Sequence, residues 1–291
     1  MVSACPVCDA ALRGTRHDWV LCCPDCGHLA STLEPANEHP AADGRIDEER
    51  REAALSTLRR RNFEIILDRL AALSVHGSAL LDVGCAHGWF LDAAARRGYV
   101  VEGVEPDRRI GARTAERGHA VVAGFFPDAL PATARYDVIA FNDVFEHVDD
   151  PRRVLAACRD RLHPGGLLVV NLPSSRGVFF RVASALDRIG VHGPYERLWQ
   201  KGFPSPHRSY FHPAGLVRLA ERHGFREAYR GTLASIQRQG LWQRLRFDTS
   251  APVLVSATLW VGICLAAPLL HRLPADISLH IFRRATAETS P

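Results

Sequence analysis

Between residues 77 and 233, short apolar and β-branched runs alternate with helical stretches, and this alternation leaves few folds open. Strands are expected at 79–83, 100–104, 120–122, 136–141 and 167–172, with helices such as 91–97 and 151–162 between them. Strands joined through helices run parallel, and strands that are apolar throughout need cover on both faces. A two-faced α/β sheet follows. At 47% hydrophobic and 23% charged residues, the composition is that of a globular chain and excludes a disordered or fibrous one.

The most informative stretch is LLDVGCAHGWFL, residues 80–91: a buried strand, a turn of small residues, then a helix. Small residues there let a ligand approach the backbone at the carboxyl end of the strand. The next strand ends in VEGVEPD, residues 101–107, and sets Glu105 where an acid can hold two ribose hydroxyls. In the dinucleotide pattern G-x-G-x-x-G, the second and third glycines would fall at Ala86 and Trp89. Trp89 would block the close helix–strand approach that the third glycine permits, and a nucleoside without a pyrophosphate does not need it. No Lys follows the glycines, so a Walker loop is excluded.

YDVIAFNDVFEHVDDP (136–151), LHPGGLLVVNLPS (162–174) and PHRSYFHPAGLVRLAERHGF (206–225) bring the motifs, in order, to five. Together they resemble the class I S-adenosylmethionine-dependent methyltransferases, and within them the branch that includes ubiquinone-type O-methyltransferases. The resemblance covers roughly half the chain, from Leu80 to Phe225. It implies a Rossmann-like, mostly parallel seven-stranded sheet with helices on both faces, and S-adenosylmethionine as cofactor. Asp82, Gly84, Cys85 and Ala86 would shape the loop around the cofactor's methionine part, with Gly88 opening the helix; Asp82 could instead serve only to cap and orient that loop. Glu105 would bind the ribose. Phe125 would lie by the adenine, where many relatives carry an acid. Ala86 stands where glycine is common and is small enough for binding to survive. Asn142 and Asp143 would close the fourth strand beside the methyl-donor end.

Methyl transfer is an in-line displacement at a sulfonium carbon, and its thioether leaves without acid help. Catalysis is then mostly positioning, with a base needed only for a hydroxyl acceptor. His147, just beyond the fourth strand, is the candidate base because histidine titrates near neutrality; the alternative is that it orients the loop and cofactor. His207, Tyr210 and His212 are the candidate substrate-facing residues.

Five of the eight Cys lie in the first 32 residues. CPVC (5–8) and CPDC (23–26) are two knuckles fourteen residues apart, the pattern of a tetrahedral zinc site ligated by Cys5, Cys8, Cys23 and Cys26. Cys22 or His28 could stand in for a ligand. Four protein ligands leave no open position, so the zinc is expected to be structural, and a ribbon this short needs it to fold. Two pairs outside any thioredoxin-like strand–helix context argue against a redox dithiol. The first residues show no basic stretch followed by an apolar run. No secretory signal is therefore expected, and the thiols fit a cytoplasmic chain.

Residues 253–270 are an uncharged run of eighteen, the lower limit for a membrane span. The net charge is only +4, yet residues 176–246 carry thirteen basic residues against four acids, a local +9. Basic charge beside an apolar run suits an anionic lipid surface, so the protein is expected on the inner face of a membrane, peripheral or integral. If 277–284 completes the sheet, a single crossing would leave that strand on the far side. The run would then lie in the interface, dip and return with Gly262 or Pro268 permitting the bend, or pack as an ordinary helix.

The expected division is 1–32 zinc ribbon, 33–76 linker and N-terminal helix, 77–250 methyltransferase core, 251–273 apolar membrane-associating segment, and 274–291 last strand and tail. Apolar positions at Leu55, Leu58, Phe63, Ile66, Leu67 and Leu70 mark the N-terminal helix. The expected acceptor is a lipidic, amphiphilic, glycan or lipid-linked small molecule. The rival is an RNA methyltransferase, because a zinc ribbon ahead of this fold is also similar to the ribosomal-RNA guanine methyltransferases. The chain lacks their basic, aromatic linker, and nucleic acid is not the expected partner.

Overall fold

The computed structural model describes residues 4–36, 48–74, 77–235, 241–242, 253–270 and 274–285. It begins with three short antiparallel strands, β1 (Arg13–Gly14), β2 (Val20–Cys22) and β3 (Leu29–Ser31), followed by helix α1 (Glu48–Ala72). The main sheet opens with β4 (Ala79–Val83), α2 (Trp89–Arg96), β5 (Val100–Glu105), α3 (Arg108–Glu116) and β6 (Ala120–Ala123). It continues with β7 (Tyr136–Asn142), α4 (Pro151–Arg161) and β8 (Leu162–Pro173). These five strands are parallel. After α5 (Val178–Arg188), α6 (Gly193–Leu198), β9 (Ser209–Tyr210) and α7 (Pro213–Arg222) come β10 (Phe225–Leu233), α8 (Val253–Leu270) and β11 (Ile277–Arg284).

The order β10-β11-β8-β7-β4-β5-β6, with β11 antiparallel to both neighbours, is the expected seven-stranded, mostly parallel sheet. From β4 the chain winds outward to β6 and then returns past β4 to β7, so the order reverses between β4 and β7. Crossovers leave in opposite directions there, which opens a crevice at the carboxyl ends of those strands.

Side chains alternate strictly between the two faces. Leu80, Val138, Ala140, Leu167 and Val169 pack against Phe63, Ile66, Leu67 and Leu70 of α1 and Trp89 and Phe90 of α2. Leu81, Ile139, Phe141, Leu168 and Val170 pack the other way, against Val154, Leu155 and Cys158 of α4 and Leu216 and Leu219 of α7. Five of the six apolar positions expected on α1 are buried, Leu58 with those four; the Leu55 side chain lies outside the described residues. Strand β10 is absent from the strands named by pattern because Arg226, Glu227 and Arg230 interrupt its alternation, as an edge strand tolerates.

The N-terminal ribbon does not stand apart from the core. Strand β3 pairs with β9 (Leu29↔Tyr210, Ala30↔Ser209), giving a second sheet of order β1-β2-β3-β9. Arg152 donates to the carbonyls of Cys5 and Pro6, and Arg222 donates to that of Val7. Trp19 and Val20 of the ribbon pack with Tyr195, Trp199 and Tyr210.

The register settles how the apolar run can run. Leu233, Ile277 and Pro173 are paired neighbours, so the insertion carrying α8 leaves and rejoins the sheet at one point, on the carboxyl edge of β8. A single crossing would tear β11 from the sheet. Among the described residues no helix is long and apolar enough to cross a membrane. Helix α8 runs through Gly262 and Pro268 as one element.

Candidate active site

The crevice between β4 and β7 is built from backbone that few side chains tolerate. Gly84 has φ 71°, and a Cβ on it would meet Val144 Cγ2 at 2.6 Å. Ala86 (φ 42°) and Asp143 (φ 55°) take the left-handed region despite their side chains, a strain that clusters at ligand sites. The amides of Gly84 and Cys85 bond the Val104 carbonyl at 2.7 and 3.1 Å, folding the loop over β5. Glu105 completes it: its carboxylate accepts from the amides of Ala86 and Asp107, both at 2.9 Å. Helix α2 starts at Gly88 with no side-chain cap, which leaves its first N–H groups facing the loop. Cys85 is buried with its Sγ against Gly103, where a Cβ would come within 2.5 Å.

A polar ladder crosses the ends of three neighbouring strands. Asn171 Nδ2 donates to Asn142 Oδ1 at 2.7 Å, and Asn142 Nδ2 donates to Asp82 Oδ1 at 3.0 Å. Asp82 is fully enclosed, and burial pushes its carboxyl from 3.8 up to about 7, with the Glu105 charge adding to the shift. Burial raises Glu105 as well. Asp143 follows on the same rim, 3.6 Å from the Arg59 guanidinium.

Beyond β7, a 3-10 turn at Phe145–His147 places two titratable groups side by side. His147 Nδ1 lies 3.1 Å from both the Pro206 carbonyl and the Ser205 hydroxyl, and in the tautomer that donates to Pro206 the Nε2 atom keeps its lone pair. Burial lowers the His147 pKa, which keeps the ring neutral near neutral pH. Glu146 is buried, lies 4.0 Å from His147 Nε2 and is pushed well above the usual carboxylate range by burial and the nearby Asp143. The His207 ring meets that of His147 edge-on at 4.7 Å, and burial drops its pKa to about 3. Glu146 Oε2 and His207 Nδ1 are buried with no hydrogen-bond partner. Glu146, His147 and His207 bring three donor atoms within 4.8 Å of one another, a set able to hold a divalent cation.

A cavity of 620 Å³ joins these parts, with Gly84, Glu105, Phe125, Asp143, His147 and Arg208 on its wall. Phe125, on that wall, is 74% exposed. Asp82 and Asn142 lie behind that wall, Cys85 and Ala86 belong to the loop, and Gly88 opens α2. Of the expected substrate-facing residues, His207 reaches the cluster through His147. Tyr210 is buried among aromatic rings and donates to the Leu198 carbonyl at 2.9 Å. His212 caps α7, its Nδ1 accepting from the Ala214 amide at 3.2 Å. Neither lines the cavity.

Arg208, Ser205 and Glu146 are residues that motif reading missed. Arg208 N–H donates to the Glu146 carbonyl at 2.8 Å while its guanidinium bonds Asp149 at 2.6 Å and the Leu33 carbonyl, closing the wall between ribbon and core. Arg208 lay in plain view in the fifth motif, but its partners come from two distant segments.

The four Sγ atoms of Cys5, Cys8, Cys23 and Cys26 lie within 4.8 Å of one another. The two knuckles share one bonding pattern. Cys5 N bonds Ala10 O and Asp9 N bonds Cys5 O; Cys23 N bonds His28 O and Gly27 N bonds Cys23 O. Asp9 and Gly27 take the same left-handed φ, 66° and 69°. A set of four thiols on paired knuckles fits one tetrahedral ion. Cys22 instead faces the Cys23 carbonyl at 3.6 Å, and the His28 ring packs on Phe211 at 4.8 Å, so neither joins the four.

Comparison with known proteins agrees with this geometry. The chain matches the family described as Methyltransferase domain over residues 53–228, more than half its length. It is 39% identical over 111 residues to a ubiquinone biosynthesis O-methyltransferase of Cereibacter sphaeroides (strain ATCC 17025 / ATH 2.4.3), an alignment covering 35% of this chain and 44% of that one. The chain thus spans less than half the length of that relative. Its fold is similar to that of an S-adenosylmethionine-dependent methyltransferase from Mesorhizobium loti (TM-score 0.50, 17% identity, covering 75% of this chain and 96% of that one). It is also similar to that of the magnesium protoporphyrin IX methyltransferase from Synechocystis PCC 6803, solved with SAH bound (TM-score 0.50, 13% identity, covering 79% and 84%). Five motifs, a strand order that reverses at the loop, and a match over residues 53–228 converge: this chain belongs to the methyltransferase-domain family.

Proposed function

We propose that the chain is an S-adenosylmethionine-dependent methyltransferase that methylates a hydroxyl group of a lipidic, amphiphilic or glycan acceptor at the cytoplasmic face of a membrane. The observation that carries this reading is one cavity lined by both Glu105 and His147. Loop 84–88 and Glu105 bind the cofactor's methionine and ribose, and Phe125 covers the adenine. Held there, S-adenosylmethionine would supply an electrophilic methyl group for in-line transfer to the acceptor oxygen, its sulfur leaving as a neutral thioether, and His147 Nε2 would take the hydroxyl proton. Donation from Nδ1 to the Pro206 carbonyl would leave Nε2 free to receive it. The relative named as a ubiquinone biosynthesis O-methyltransferase supports an O-methyl product.

Cys5, Cys8, Cys23 and Cys26 would hold zinc, which supplies a structural cross-link. The ribbon so fixed keeps β3 on β9 and the Arg208 segment against the cavity. A second reading of the acceptor side is favoured by the two orphaned atoms, Glu146 Oε2 and His207 Nδ1. There Glu146, His147 and His207 hold a divalent cation, which supplies Lewis-acid activation of the hydroxyl. Turnover of methyl-labelled cofactor with a bacterial lipid extract tests the proposal, and no labelled lipid would refute it. Turnover that persists under chelation mild enough to leave the ribbon zinc bound, and fails in His147→Gln, selects the base; turnover lost under that same chelation and restored by added divalent metal selects the cation.

A further inference from the structure

Eleven large apolar side chains are exposed among the described residues, and nine of them fall on two segments. Five are on the insertion between β10 and β11: Trp242, Val253, Leu254, Trp260 and Val261. The other four, Phe179, Val182, Ile189 and Val191, belong to α5 and the turn that ends it. At about 100° per residue, Phe179, Val182 and Ile189 fall within an arc of about 80°. Ala183 and Asp187, both buried, follow about 40° and 80° beyond Phe179, so the stripe borders the side of the helix that packs on the protein. Helix α5 therefore turns an apolar stripe outward, the reverse of what a surface helix of a water-facing protein does.

Charge and position say what the stripe meets. Arg181 and Arg188 are exposed along one flank of it, and neither has an ion-pair partner among the described residues. Arginines beside an apolar stripe reach up to phosphate head groups while their stems lie on the apolar layer. Helix α5 is also tied to the feet of the insertion. The Asp276 carboxylate accepts from the Phe179 amide at 2.7 Å and from the Ser235 hydroxyl at 3.0 Å. One residue thus holds the start of α5, the end of β10 and the start of β11 together. All three lie at the carboxyl edge of the sheet, the edge onto which the cavity opens.

We infer that α5 is the second half of a membrane-docking face, laid flat on an anionic bilayer beside the insertion, so that the cavity takes its acceptor from the lipid layer. This rests on the reading of the acceptor as amphiphilic and deepens it. A dimer through the same stripe is the competing outcome.

The test is co-flotation of the full-length protein with vesicles of phosphatidylcholine alone and of phosphatidylcholine mixed with phosphatidylglycerol. Wild type is expected on the mixed vesicles. The double substitution Val182→Glu with Ile189→Glu should lower the partition coefficient at least ~10-fold, since each residue contributes a buried aliphatic side chain. Arg181→Glu with Arg188→Glu should lower it about 10-fold at low salt and little at high salt. Those positions are exposed, so this pair keeps the test open if the first misfolds. Unchanged flotation of both variants, alongside loss on deleting residues 253–270, would overturn the role of α5 and leave the insertion's standing. No flotation of wild type overturns both. A sedimentation shift from dimer to monomer in Val182→Glu with Ile189→Glu, without vesicle binding, overturns docking in favour of self-association.

Discussion

Asp82 is expected to make the binding of S-adenosylmethionine depend on pH. Enclosed in the sheet and facing the Glu105 charge, it titrates near 7 instead of 3.8. In the proposed complex the cofactor's ammonium and sulfonium charges approach loop 84–88, and a cation nearby favours the carboxylate. If binding returns Asp82 to about 4, the ligand must expel a proton below pH 7. At pH 5.5 that is about 1.5 units of work, ~2 kcal/mol, or about 30-fold weaker affinity than at pH 8. Titration calorimetry of S-adenosylmethionine across pH 5.5–8 reads this as a tenfold loss per unit below 7. Repeating it in buffers of different ionisation enthalpy counts the proton released. Asp82→Asn should remove the slope. Affinity flat with pH in wild type, or an equal slope in Asp82→Asn, refutes the argument. The sign for stability is the opposite of the usual carboxylate. The folded pKa lies above the unfolded one, so the cofactor-free protein loses up to about 4 kcal/mol as pH rises from about 4 to 7. Asp82→Asn should therefore raise its melting temperature at pH 8.

Three further outcomes are expected. Elemental analysis should find one zinc per chain, lost in Cys8→Ser with Cys23→Ser, whose melting temperature drops; a metal-free wild type of unchanged stability contradicts the ribbon reading. His147→Gln should lower kcat by about 10²- to 10⁴-fold with S-adenosylmethionine affinity preserved, and a matching loss of affinity would show a positioning role instead. Phe211→Ala removes a buried ring packed on His28 and Phe145, linking ribbon to core, and denaturant unfolding should show a loss of about 3–5 kcal/mol; a loss under 1 kcal/mol contradicts that packing.

What the sequence made legible was local. The loop at 80–91, Glu105 at the end of the next strand and the CxxC pairs each lie within a few residues, so spacing alone exposes their chemistry. What it hid was made by chain segments far apart. Two-residue β9 carries no strand signal of its own, and its pairing with β3, some 180 residues earlier, helps join the ribbon to the cavity wall. Arg208 reads as a surface charge until Asp149, Leu33 and Glu146 meet it. His212 looked like a substrate contact, yet it stands just before Pro213, where a capping residue precedes a helix, and it caps α7. The apolar run was legible as a run, while its course was not. Strand pairing at Leu233 and Ile277 is what forces it to return.

The most direct measurement incubates the purified protein with methyl-labelled S-adenosylmethionine and total bacterial extract, then counts label in the lipid, nucleic acid and protein fractions. The account predicts label in the organic phase, with a 14-dalton gain on the product by mass spectrometry, and none with Glu105→Ala. Label confined to RNA, or wild-type transfer unaffected by Glu105→Ala, would contradict it.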